Sequence, residues 1–222
     1  GSTPVSTGSW NHLVWRNRFE PSTGLSHLGI FLNGSQVLSE TLPLQLEGSV
    51  PAYVGRYNGL YLDGMVDHFQ IFRQALSDAE IAALKLQAPL INLHFNDPAD
   101  SLAFVNSAGS PHGVCAPNAC PVAGTKGQVG TAVHFDGVDD LVSMPHVSAF
   151  DTDSFSAGMW VRPERRPHDQ TMFYTDPAGG VRYYLEIPAN SLDVYAQTRG
   201  ADCLFNPARE MTSATPMIEN IW

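Results

Sequence analysis

The chain has 222 residues, a net charge of −10, 43% hydrophobic and only 15% charged residues. That composition supplies a packed core and excludes a disordered chain. An acidic surface repels phosphate, so nucleic acid is excluded as a partner, and the absence of about 18 consecutive apolar residues excludes a membrane-spanning helix.

Most segments alternate apolar and polar residues, the pattern of half-buried strands. The pattern predicts strands at His12–Arg16, Leu28–Leu32 and Val37–Glu40, with Asn33-Gly34 as a hairpin turn between the last two. Asn-Gly suits that place because both central residues of a type I′ turn need positive φ. Further strands are predicted at Met65–Phe72, Ile91–Phe95, Thr131–Phe135, Leu141–Met144, Phe155–Arg162, Val181–Ile187 and Leu192–Gln197. One helix is predicted from Ser77, where Ser77 and Glu80 form a capping box, to about Lys85–Gln87 before Pro89. Many short strands, dispersed glycine and proline, and one short helix imply an all-β antiparallel sandwich.

Cys115 and Cys120 bracket Ala-Pro-Asn-Ala. A turn there can bring the two side chains within disulfide reach, the alternative being two free thiols. A disulfide would place the chain in an oxidising compartment. Cys203 reads as a small buried residue or an intermolecular partner. Residues 1–12 show no secretory leader pattern, which makes a mature piece, a repeat unit or a truncated product the expectation. The chain also repeats itself. Thr3-Pro4 and Trp10 recur as Thr215-Pro216 and Trp222, each 212 positions later.

Longer motifs carry a family resemblance. Residues 10–86, with Gly8–Trp15 running into their start, contain Ile30–Val37, Tyr53–Tyr57 and Leu62–Leu84 (LDGMVDHFQIFRQALSDAEIAAL). They resemble the C-terminal half of a laminin G-like, concanavalin A-like jelly-roll domain, of the kind found in bacterial tandem-repeat extracellular proteins. Leu90–Asp97, Gly127–Met144 (GQVGTAVHFDGVDDLVSM) and Asp153–Pro163 resemble the N-terminal half of the same family. The halves stand in permuted order. The resemblance therefore implies that residues 1–86 are the C-terminal half of one sandwich, 87–89 a joint, and 90–222 the N-terminal and middle part of the next. Two closures follow, a permuted domain within one chain or completion of each unit by the next, and the matched Thr-Pro registers favour the second, a head-to-tail filament or tandem array.

Candidate sites follow from the same residues. Asp67 alternates with Phe69 and Ile71 and is expected on their core-facing side, where a carboxylate must be paired. Asp136, Asp139 and Asp140 flank a turn at Gly137. Together with Asp67 they are candidate calcium ligands, the alternative being carboxylates that cap their own turn amides. Tyr57, Asn58, Tyr61 and Tyr184 are candidate contacts for glycans or partners. A glycoside hydrolase would need two carboxyl groups about 5 Å apart in a groove. The nearest pair, Glu186 and Asp193, is interrupted by Pro188, so no catalytic residue is expected. The expected function is a non-enzymatic extracellular or cell-surface structural and adhesive repeat, whose partners are copies of itself. A carbohydrate-binding lectin-like module that takes surface glycans is the alternative.

Overall fold

Two hairpins open the fold in the computed structural model, which describes residues 8–43, 51–57, 59–83, 89–148, 152, 154–164, 167–175, 183–189, 194–198 and 210–212. Strand β1 (Asn11–Glu20) pairs antiparallel with β2 (Leu25–Leu32), and β2 with β3 (Ser35–Leu42). Asn33 and Gly34 both take positive φ, 50° and 82°, so the turn is the one their chemistry favours. The chain continues through β4 (Ala52–Val54), the short pair β5 (Arg56–Tyr57) and β6 (Leu60–Tyr61), and the long β7 (Asp63–Phe72). Helix α1 (Asp78–Ala82) follows, with both halves of the Ser77–Glu80 capping box formed. Ala83 is its C-cap; the end expected at Lys85–Gln87 lies outside the described residues.

The remaining strands are β8 (Ile91–Leu93), β9 (Ala103–Phe104), β10 (Gly113–Val114), β11 (Val122–Lys126), β12 (Thr131–Asp136), β13 (Val142–Met144), β14 (Phe155–Pro163), β15 (Gln170–Thr175), β16 (Tyr183–Ile187), β17 (Tyr195–Thr198) and β18 (Glu210–Thr212). One sheet runs β11-β12-β7-β14-β1-β2-β3, with β8 added on β7. The second runs β18-β17-β16-β15-β4-β13-β10-β9. Trp15, Ile30, Val66 and Phe69 from the first meet Val54, Val142, Phe173 and Leu185 from the second in one apolar core. This is the expected antiparallel β-sandwich. No helix among the described residues is long and apolar enough to cross a membrane.

The order of strands interleaves the two segments of this chain. β7 lies between β12 and β14, and β4 between β13 and β15. Strands from before residue 86 and after residue 90 thus interleave in both sheets of this chain. The physical reason is proximity. Each segment alone leaves an apolar face and open edges, and the other segment is tethered at high effective concentration.

Two differences from the sequence pattern have local causes. β15 was not expected, because all six of its residues are buried and no alternation remains to read. In β7, Asp67 pairs with Trp160 and Gln70 with Gly158, so β7 carries one extra residue against β14. This bulge, with His68 at φ +50°, breaks the parity that would have grouped Asp67 with Phe69 and Ile71.

Outside the sandwich, α1 covers a smaller core of Val14, Phe31, Phe72, Leu76 and Ile81. Arg16 pins it, lying 4.6 Å from the Phe31 ring centre, donating to the Leu76 carbonyl and pairing with Asp78.

His12, buried on β1 beside Trp160, has its pKa lowered to about 4 by that burial. The unfolded chain takes up a proton near pH 6.5 that the fold refuses. Stability present above pH 6.5 is therefore lost as pH falls toward about 4, by roughly 3 kcal/mol. Urea midpoints between pH 7 and 4.5 should fall less for His12→Phe than for the wild type; equal slopes would refute the assignment.

Candidate functional site

The turn after β12 brings three carboxylates together. One carboxylate oxygen each from Asp136, Asp139 and Asp140 lies within 4.8 Å of the others. Two of these carboxylates are also engaged locally. Asp136 Oδ1 accepts the Val138 amide at 2.8 Å, and Asp140 Oδ2 accepts the Asp136 amide at 2.9 Å. Asp140 is buried, and that burial raises its pKa; the charges of Asp136 and Asp139 push the same way, while the Asp136 amide opposes them.

Asp67 does not join this turn. It is fully buried at the β7 bulge. Its Oδ1 meets His68 Nδ1 at 2.7 Å, and its Oδ2 accepts the Val129 amide at 2.9 Å. His68 Nε2 meets His94 Nδ1 at 2.8 Å, and His94 Nε2 meets Asn92 at 3.0 Å. The His94 pKa is lowered by burial first and by neighbouring His68 second. Asp67 therefore organises a polar chain that ties β7 to the segments after β8 and β11. Gly127 makes room for it, since a Cβ there would stand 2.7 Å from Asp67 Oδ2.

Cys115 and Cys120 form a disulfide with Cα atoms 5.0 Å apart, closing a tight turn in which the Ala119 amide bonds the Ala116 carbonyl. Cys203 lies outside the described residues, as do Asn58 and Asp193. Tyr57 and Tyr184 stand in β5 and β16, and their side chains are not described. Tyr61 is half-buried, with the Arg56 guanidinium 5.6 Å from its ring centre. Glu186 is buried in β16.

An aromatic cluster escaped the sequence pattern. Tyr53 on β4 stacks on Tyr174 of β15, centroids 4.9 Å apart and planes 16° apart, and Tyr195 of β17 packs with them. Neither β4 nor β15 shows an alternating run, so only strand pairing (Tyr53 opposite Tyr174) reveals the stack. By contrast, Trp15 is wholly buried against Phe155 and Trp160 packs on His12, so both serve packing.

Replacing Asp67 by Ala would leave the Val129 amide and His68 without their buried acceptor. The expected cost is about 3 kcal/mol in urea unfolding; a loss below about 1 kcal/mol would show that this network carries little stability.

Residues 1–82 match the family model described as the concanavalin A-like lectin/glucanases superfamily, a laminin G-like family. No curated protein and no solved structure matches the chain.

Proposed function

Since residues 1–82 match that family model, we propose that the chain carries a laminin G-like, concanavalin A-like domain and works as a non-enzymatic extracellular module, a structural and adhesive unit of a head-to-tail series. The observation that carries this reading is the sequence recurrence; β4 and β7 of this chain already lodge between strands that follow residue 90, so a series requires exchange of that segment between copies. The equivalent segment of a neighbouring copy can fill the same places. The recurrence of Thr3-Pro4 and Trp10 after 212 positions supports units in series. Such a contact is heterologous and propagates instead of closing. The Cys115–Cys120 disulfide and the family's generally extracellular use support the location. Domains of this family are typically non-enzymatic binding modules, which supports leaving catalysis out.

Light scattering tests the assembly. After refolding at high concentration, species at multiples of 24.1 kDa are expected. Monomer at every concentration would overturn strand exchange between copies. Tyr53, partly exposed and backed by the buried Tyr174, favours a second reading, a sugar-binding face. Specific glycan-array binding that disappears in Tyr53→Ala would transfer the function to that reading.

Calcium is proposed at Asp136, Asp139 and Asp140 alone, since Asp67 is committed elsewhere. Three carboxylates are a small part of the roughly six to eight oxygens calcium takes, so affinity should be millimolar. Millimolar calcium should raise Tm in the wild type and not in Asp139→Asn. An unchanged wild-type melt would leave the turn capped by its own carboxylates.

A further inference from the structure

Beside the acidic turn lies a mixed cluster of different chemistry. Asp63 opens β7, His134 is on β12, and Glu164 follows β14, so three neighbouring strands contribute one group each. One ligand atom from each lies within 4.8 Å of the other two. His134 Nε2 stands 3.6 Å from Glu164 Oε1. That is long for a hydrogen bond and close to the ~3.4 Å separating neighbouring ligands of a tetrahedral zinc-class ion bound at ~2.1 Å.

The backbone under this cluster is held in place. The Glu164 amide donates to the Asp63 carbonyl at 2.7 Å. Buried Gln170 accepts the Asp63 amide on Oε1 at 3.0 Å and donates Nε2 to the Glu164 carbonyl at 2.8 Å. Gly64 permits the close crossing, because a Cβ there would lie 2.5 Å from the Arg162 carbonyl oxygen. Asp63 and Glu164 are therefore positioned by three hydrogen bonds that do not use their carboxylates. The His134 and Glu164 side chains are 29% and 46% exposed, which leaves one side open to solvent. Asp136 sits opposite Asp63, and Asp140 is near enough to His134 to feel its charge, so the surrounding field attracts cations.

We infer that Asp63, His134 and Glu164 form a three-ligand site for a divalent transition-metal ion of the zinc class, with water in the remaining position. The imidazole nitrogen decides the class, since calcium and magnesium prefer all-oxygen shells whereas imidazole suits zinc, cobalt and nickel. The site shares no ligand with the acidic turn and does not depend on assembly or on sugar binding.

Titration of zinc and of cobalt(II) into the metal-free 222-residue chain tests the site, read by calorimetry and by the visible absorption of bound cobalt. One ion per chain at micromolar affinity is expected, together with a raised Tm. His134→Gln and Glu164→Gln should each weaken binding by more than about tenfold, whereas Asp139→Asn and His94→Gln should not. Glu164 is half-exposed, so Glu164→Gln reports even where another variant is unstable. Zinc binding that survives both ligand variants, falls equally in His94→Gln, or needs millimolar zinc would overturn the assignment.

Discussion

The insertion of β7 between β12 and β14 is the pairing on which the rest of the structure depends. It joins a strand from the first third of the chain to strands that follow much later. It also fixes where the polar groups of β7 emerge. At one end Gly64 lets Pro163 and Glu164 pass against the strand, which brings Glu164 beside Asp63. Near the middle, one extra residue bulges out, and Asp67 turns from the core toward His68 and the Val129 amide. A strand without that bulge would bury an uncompensated carboxylate in the apolar core, at several kcal/mol.

Both faces of the first sheet are covered, but by different means. The inner face meets the second sheet in the main core. Part of the outer face is covered by α1 over Val14, Phe31 and Phe72, with Arg16 lying on Phe31 and reaching the start of the helix. The Gly34 turn packs on that helix too, since a Cβ there would stand 3.2 Å from the Ala82 Cα. A five-residue helix has little stability of its own. Its capping box and this shared apolar patch hold it, so the β1–β3 hairpins and α1 act as one unit.

The carboxylates of the chain serve two kinds of purpose. Asp67, Asp136 and Asp140 accept backbone amides and so shape turns and crossings. Asp139 and Glu164 face outward at the same end of β12 and β14, where loops can be changed without disturbing the core. This division explains how one sandwich can carry cation-attracting groups on a rim while its interior stays apolar. The Tyr53–Tyr174 stack lies on the second sheet, well separated in role from that rim.

By itself the sequence determined the local chemistry. Asn33-Gly34 is a turn because both residues accept positive φ, Ser77 and Glu80 cap a helix because they stand three apart, and Cys115 and Cys120 bond because a four-residue turn brings them together. The alternating strands and the sandwich class were legible for the same reason: each is written within a few neighbouring residues. Tertiary structure alone decided which strands are neighbours, and with that the companions of Asp63, Asp67 and Tyr53. A single bulged residue puts Asp67 on the opposite side from Phe69 and Ile71 of β7, and no pattern in the sequence marks where it falls. β15 was illegible because burial on both faces erases alternation. Asp63, His134 and Glu164 are far apart along the chain, and only the hydrogen-bonded ladder of three strands places them together.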